Sequence, residues 1–134
     1  MDYLELHHNA LTIDSHNDAI VAGVSAGVGL NGRPTRHANM GTISQLRGML
    51  PRRQENGRTQ IDLHRMREGG IDAAFFAVCV TKAWNNHASY ALDAFGILLA
   101  EMETDSRFRI ARTGSDITAA KSDGAVTAIL ALED

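Results

Sequence analysis

Hydrophobic residues are concentrated in three short runs along the chain, at residues 11–13, 71–80 and 125–132. The second and third runs, IDAAFFAVCV and AVTAILAL, are almost uninterrupted. Such runs are typical of strands that are buried on both faces of a parallel sheet. The first run is shorter, but the β-branched side chains of Thr12 and Ile13 favour a strand there as well. We therefore predict three strands.

Helical patterns lie between the second and third strands. Between residues 87 and 104, apolar side chains recur at spacings of three and four and form one stripe, which predicts an amphipathic helix: Ala88, Ala91, Leu92, Phe95, Leu99 and Met102. A second helix is predicted over residues 115–122, because Thr113 and Asp116 form a capping pattern before it and Gly124 follows it. Residues 108–111 are predicted to form a short extended segment between these two helices.

Further helices are predicted nearer the start of the chain. One covers part of residues 1–10, and another covers residues 61–68 and ends at a pair of glycines. Between them, residues 19–60 are rich in glycine and contain both prolines, which predicts a long loop with a short helical turn at residues 44–50. The alternation of strands and helices predicts an α/β fold with a parallel sheet and helical crossovers.

The glycine-rich loop contains GVGLNG (residues 27–32), which has the spelling of a dinucleotide-binding fingerprint. That fingerprint requires a helix to open at its glycines. Here Pro34 follows, and the residue before a proline is pushed away from helical geometry. We therefore reject a nucleotide site at this position.

Composition and charge narrow the classes of partner. The chain has 134 residues, enough for one domain or part of one, and its net charge of -3 gives no reason to expect nucleic acid or an anionic membrane. The arginine-rich residues 33–67 lack aromatic side chains for base stacking, which favours a solvated loop. No secretory signal and no apolar run of about 20 residues is visible, so we expect no membrane partner. The single cysteine, Cys79, fits a reducing compartment, and we expect a cytoplasmic protein.

Two other features are predicted to be structurally ordinary. Cys79 lies within the second apolar run and is interpreted as a small core residue that burial keeps inert. His7 and His8 lie side by side in the first helix and are expected to be exposed and without hydrogen bonds.

Metal-binding side chains follow the first and third strands. His16 and Asp18 come directly after the first strand, where side chains two residues apart point to the same side, and Glu133 ends the third. Each feature alone has an ordinary explanation, as a chance pair in a loop or a solvent-facing acid. In a (β/α) barrel, however, the carboxyl-terminal ends of all strands meet at one edge. An imidazole together with carboxylates suits zinc, manganese or iron better than calcium, so the three residues indicate a metal site.

At these positions the sequence resembles the membrane (renal) dipeptidase family of the metal-dependent amidohydrolase superfamily. IDSHNDA (residues 13–19) is similar to the family's Asp-Gly-His-Asn-Asp-Leu motif, and IDLHRMREGGI (residues 61–71) is similar to its Asp-Leu-x-x-Leu-x-Glu-Gly-Gly-Val segment. AFFAV (residues 74–78) stands where the family has Gln-Phe-Trp-Ser-Val, and AILALE (residues 128–133) resembles the strand whose glutamate bridges two metal ions. The chain departs from the pattern at Ser15 and Asp134, where the family often has glycine.

The resemblance implies a zinc-dependent dipeptidase on a TIM barrel. Residues 1–134 would be the N-terminal part of that single barrel domain, about its first three βα units. His16 and Asp18 would hold one of two Zn²⁺ ions and Glu133 would bridge to the other, with a bridging hydroxide that attacks the peptide bond of a dipeptide. The family's remaining metal histidines, proton-transferring acid and substrate-binding arginine match no residue of this chain. No catalytic residue beyond the metal ligands is therefore predicted, and the chain alone is expected to be inactive.

Two alternatives to a dipeptidase remain open at this point. One is another amidohydrolase-type hydrolase that acts on cyclic amides or lactones, although most of that superfamily opens with His-x-His rather than the His-x-Asp of His16 and Asp18. The other is a non-catalytic binding module derived from a barrel. If the chain is the N-terminal part of a dipeptidase, its third strand would have an unpaired edge, which invites association with a second copy.

Overall fold

Four parallel strands form one sheet, and their order in the sheet is β1-β2-β4-β3. The strands are β1 (Ile13–Asn17), β2 (Ala73–Cys79), β3 (Phe108–Ile110) and β4 (Val126–Glu133). This computed structural model describes residues 2–20, 29–30, 61–80 and 86–134. The predicted helical turn at residues 44–50, most of the GVGLNG motif and almost all of the long loop lie outside the described residues.

The helices in the described part of the chain agree closely with the sequence prediction. They are α1 (Tyr3–Asn9), α2 (Leu63–Glu68), α3 (His87–Glu103) and α4 (Gly114–Ser122). The capping pattern before α4 is present in full: the Thr113 side chain accepts a hydrogen bond from the Asp116 backbone, and the Asp116 carboxylate accepts one from the Thr113 backbone. Among these helices, none is long and apolar enough to cross a bilayer.

The short extended segment at residues 108–111 is a strand of the sheet. β3 pairs in parallel with the first part of β4, from Phe108 opposite Val126 to Ile110 opposite Ala128. The sequence predicted three strands because β3 has only three residues, too few to show a hydrophobic pattern. The predicted third strand is consequently β4, which lies between β2 and β3 in the sheet. The prediction that its outer edge is unpaired is therefore wrong for residues 126–128, which pair with β3.

The two faces of the sheet pack against different helices. Ala74, Phe76 and Val78 of β2 point to one face, where they pack in the main core with α2 and α3 residues such as Met66 and Tyr90. We call this the helix face. On the opposite face, Ala73 packs in a smaller cluster with Ala111, Ile117 of α4 and Ile129. Burial on both faces explains why the second apolar run and the start of the third show no alternation. In the second half of β4, however, Leu130 and Leu132 are exposed, so burial on both faces was predicted wrongly there.

The amino-terminal edge of the sheet is closed by polar contacts. Lys121 Nζ of α4 lies 2.8 and 2.9 Å from the two carboxylate oxygens of Asp72 and 3.0 Å from the backbone oxygen of His8. The Asp72 carboxylate also accepts a hydrogen bond of 2.8 Å from the Thr12 backbone. These bonds hold α1, the start of β2 and α4 together at the edge opposite to the predicted metal ligands.

One prediction about α1 is wrong. His7 is exposed as expected, but its Nε2 lies 2.7 Å from the Gly69 backbone oxygen, to which it donates a hydrogen bond. Gly70 next to it has φ of +67°, and a Cβ at Gly70 would lie 2.8 Å from both His7 Nε2 and His8 Nδ1. The two histidines therefore pack over the turn between α2 and β2 rather than standing free in solvent.

Candidate metal centre

His16, Asp18 and Glu133 come together at the carboxyl-terminal edge of the sheet. His16 Nε2 lies 3.6 Å from Asp18 Oδ1 and 3.6 Å from Glu133 Oε2. One potential ligand atom from each residue lies within 4.8 Å of the other two. Among the residues that the structure describes, this is the one cluster of three or more histidine, cysteine or acidic side chains with such spacing.

The donor atoms and their spacing fit a transition-metal ion. Ligand atoms at 2.0–2.2 Å around a tetrahedral zinc ion lie about 3.4 Å from one another, close to the two distances from His16. One imidazole nitrogen and two carboxylates suit zinc, manganese or iron. The three side chains are 49%, 58% and 45% exposed, so an ion held between them would remain open to solvent and to a substrate.

Local hydrogen bonds fix the end of β1, where His16 and Asp18 lie. The Asp14 carboxylate accepts a hydrogen bond of 3.1 Å from the His16 backbone and one of 3.2 Å from the Asn17 side-chain amide. The Asn17 side-chain oxygen accepts a further bond of 3.2 Å from the Ala19 backbone. The sequence analysis gave Asp14 and Asn17 no part in the site.

Cys79 borders the same cluster. It ends β2 directly opposite Glu133 of β4 and is half-buried, so it is not the core residue that the sequence predicted. Burial raises the pKa of the Cys79 thiol, and the negative charges of Glu133, Asp18 and Asp134 raise it further. The influence of these acids on Cys79 indicates a negative local field, which favours a cation.

Tyr90 lies behind the cluster on the helix face. Its side chain is buried, and burial together with the nearby Cys79 and Asp18 raises the pKa of the phenol to about 12. Tyr90 thus remains neutral at physiological pH and forms part of the packed wall beneath the carboxyl-terminal edge.

Two other histidines of the described part of the chain, His64 and His87, do not join the three ligands. His64 is exposed on α2, and His87 is the first residue of α3. His37 lies outside the described residues. The family resemblance assigned no role to these three residues.

A parallel α/β sheet with an imidazole and carboxylates at its carboxyl-terminal edge is typical of metal-dependent hydrolases built on a barrel. The model of the membrane dipeptidase family, peptidase family M19, matches residues 2–134. The chain therefore belongs to the membrane dipeptidase family. The comparison with curated proteins found no match.

Two solved structures resemble this chain. A dipeptidase described as a metallopeptidase of family M19 is 27% identical, with a TM-score of 0.63 over 92% of this chain. A metallopeptidase from Rhodobacter sphaeroides, liganded with a phosphinate mimic of the dipeptide L-Ala-D-Ala, is 24% identical, with a TM-score of 0.58 over 92% of this chain. The four-stranded parallel sheet thus matches part of the barrel of these enzymes. The chain spans 35% and 38% of the length of the two matched structures.

Proposed function

We propose that this chain contributes the N-terminal part of a dipeptidase that uses two zinc ions. The observation that carries the proposal is the convergence of His16, Asp18 and Glu133 at the carboxyl-terminal edge of a parallel sheet, in a member of the membrane dipeptidase family. Dipeptides are the substrate class because of the family and because the Rhodobacter sphaeroides metallopeptidase binds a dipeptide mimic.

In this proposal the three residues divide the metal binding between them. His16 and Asp18 would hold one ion, and Glu133, which offers two carboxylate oxygens, would contribute ligands from β4. Two such ions supply a nucleophile from water at neutral pH and polarise the scissile carbonyl. The chain's own contribution is to attract the ions through clustered negative charge and to fix them at an edge that water and a dipeptide can enter.

The remaining parts of the active site are proposed to come from outside these 134 residues. The chain spans little more than a third of the matched enzymes. We therefore propose that this chain by itself binds a metal ion weakly and does not hydrolyse dipeptides. The cytoplasmic location and the association with a second copy stay predictions from the sequence.

Metal titration tests the proposal. Co²⁺ is a suitable probe because it occupies zinc-type sites and its visible absorption reports ligand binding. We expect His16→Ala, Asp18→Asn and Glu133→Gln each to weaken Co²⁺ binding at least tenfold. Their thermal unfolding midpoints should change little, because all three side chains are exposed.

Glu103→Gln is the matched control, since Glu103 is an exposed acid at the end of α3, outside the cluster. Its Co²⁺ affinity should equal that of the unaltered chain. If the unaltered chain binds no Co²⁺, or if His16→Ala binds it as well as the unaltered chain does, the metal proposal is wrong. A folded chain that binds no metal would instead support the non-catalytic module.

A further inference from the structure

An extra residue in β1 determines which face of the sheet His16 reaches. Asp14 pairs with Ala74 and Asn17 pairs with Phe76, so three steps along β1 correspond to two steps along β2. Residues paired across a parallel sheet point to the same face, and both Ala74 and Phe76 point to the helix face. Asp14 and Asn17 consequently point there as well, and His16 lies between them on the other side.

A regular strand would direct His16 away from the metal site. Without the extra residue, His16 would follow Asp14 by two positions and would point to the helix face. Glu133 is paired with Cys79, which lies an odd number of positions from Phe76 and so points to the opposite face. The irregularity in β1 is therefore what brings His16 onto the same face as Glu133.

Two side chains stabilise this irregularity from the helix face. The Asp14 carboxylate accepts one bond from the His16 backbone and one from the Asn17 amide, and the Asn17 oxygen accepts one from the Ala19 backbone. The three bonds span residues 14–19 and enclose both His16 of β1 and Asp18, which follows β1. The Asp14 carboxylate can only accept, and it accepts both of its bonds. The Asn17 amide can donate and accept, and it donates to Asp14 and accepts from Ala19.

We propose that Asp14 and Asn17 are positioning residues of the metal centre. They bind no metal; they fix the irregular turn that directs His16 and Asp18 toward Glu133. This inference rests on the proposed function, namely that the cluster binds a metal ion. Loss of comparable partners behind metal ligands lowers metal affinity by about 10- to 100-fold.

An exchange of the two residues provides a sharp test. Asp14→Asn alone places an amide nitrogen against the Asn17 amide nitrogen, and Asn17→Asp alone places two carboxylates against each other. In the double variant Asp14→Asn/Asn17→Asp, the amide at position 14 can accept from the His16 backbone and donate to the carboxylate at position 17. That carboxylate can still accept from the Ala19 backbone, so all three bonds are restored.

We expect each single variant to bind Co²⁺ about 10- to 100-fold more weakly than the unaltered chain, and the double variant to recover to within about threefold. If Asp14 and Asn17 acted only through charge, the variants would rank differently in Co²⁺ affinity. Asn17→Asp adds a negative charge beside the ligands and would then bind Co²⁺ more tightly, while only Asp14→Asn would bind it more weakly.

Asp105→Asn is the matched control. Asp105 also accepts a hydrogen bond from the backbone two residues further on, at 3.0 Å from Arg107, but it precedes β3 at the opposite edge of the sheet. The Asp105→Asn variant should have a lower thermal unfolding midpoint but the same Co²⁺ affinity as the unaltered chain. If Asp14→Asn or Asn17→Asp prevents folding, Asn17→Ala replaces that variant. Asn17→Ala removes two of the three bonds but does not place two amides or two carboxylates against each other.

The outcomes separate this inference from the proposed function. Co²⁺ binding that requires His16 but is unchanged in both single variants overturns the positioning role alone. A folded double variant that remains as weak as the single variants also overturns it. If the unaltered chain binds no Co²⁺, the proposed function fails and the positioning role fails with it.

Discussion

His16 Nε2 and Glu133 Oε2 lie 3.6 Å apart although their strands, β1 and β4, are separated by β2. Neighbouring strands are about 4.8 Å apart, so the two backbones are about 10 Å from each other. The imidazole and the carboxylate therefore reach toward each other across the end of β2, where the small side chain of Cys79 lies beside Glu133. The contact depends on the sheet as a whole, and the predictions that follow concern what holds that sheet together.

Lys121→Met should destabilise the protein through the carboxylate that it leaves behind. The Asp72 side chain is only 12% exposed and would retain a bond to the Thr12 backbone as its remaining described partner. An underpartnered, mostly buried carboxylate is unfavourable, and we expect the free energy of unfolding to fall by about 2 kcal/mol. Urea unfolding at neutral pH measures this.

Arg109→Met is the comparison for Lys121→Met. The ion pair of Arg109 with Asp123 has a similar distance, 2.7 Å, but the two side chains are 44% and 56% exposed. Solvent screens such a pair, so its loss should lower the free energy of unfolding by less than about 1 kcal/mol. If both variants lose the same free energy of unfolding, the burial of Asp72 does not strengthen its ion pair with Lys121.

Gly70→Ala should destabilise the protein more than Gly124→Ala. Both glycines have left-handed backbones, with φ of +67° and +69°, and an alanine at either position is strained by about 1 kcal/mol. At Gly124 nothing lies within 4 Å of the added Cβ, whereas at Gly70 it would contact the rings of His7 and His8. Gly70→Ala should therefore also break the bond from His7 to Gly69, for a total loss of about 2 kcal/mol in urea unfolding. A smaller loss at Gly70 than at Gly124 would contradict the packing of α1 on this turn.

Gly96→Ala should stabilise the protein. Gly96 lies in the middle of α3, and nothing is within 4 Å of an added Cβ. Because alanine restricts the unfolded chain and favours the helix, we expect a gain of about 0.8 kcal/mol in the free energy of unfolding. Gly114→Ala, at the first residue of α4 with similar open space, is the control and should give a smaller gain. A loss of stability in Gly96→Ala would mean that α3 packs more closely there than the structure shows.

Tyr90→Phe should remove part of the protein's sensitivity to alkaline pH. Burial raises the pKa of Tyr90 from 10 to about 12 in the folded state, so the unfolded chain releases the phenol proton first. The stability that the protonated phenol contributes is present below pH 10 and is lost as the pH rises from 10 to about 12. Over this range the difference in free energy of unfolding between the unaltered chain and Tyr90→Phe should shift by up to about 1.4 kcal/mol per pH unit.

Urea unfolding at pH 9 and pH 11.5 tests the alkaline prediction, with Tyr3→Phe as the control. Tyr3 is 79% exposed, so the Tyr3→Phe variant should show the same pH dependence of stability as the unaltered chain. If Tyr90→Phe and the unaltered chain lose stability in parallel between these two pH values, the buried phenol is not responsible.

The sequence by itself determined the elements whose signals are local. Unbroken apolar runs identified β2 and β4, apolar spacing identified α3, and the Thr113 capping pattern identified the start of α4, because each is a property of neighbouring residues. The chemical types of His16, Asp18 and Glu133 indicated a metal site, and their positions at strand ends, together with the family resemblance, brought them to one edge of the sheet.

Only the tertiary structure decided which face each strand presents. The extra residue between Asp14 and Asn17, the pairing of β3 with the beginning of β4, and the place of Cys79 beside Glu133 depend on register between strands that are distant in the chain. Register is set by pairing with a strand that is distant in the chain, and a shift by one residue moves every side chain to the other face. For that reason the sequence could name the ligands of the candidate metal centre but not the turn that directs His16 toward Glu133.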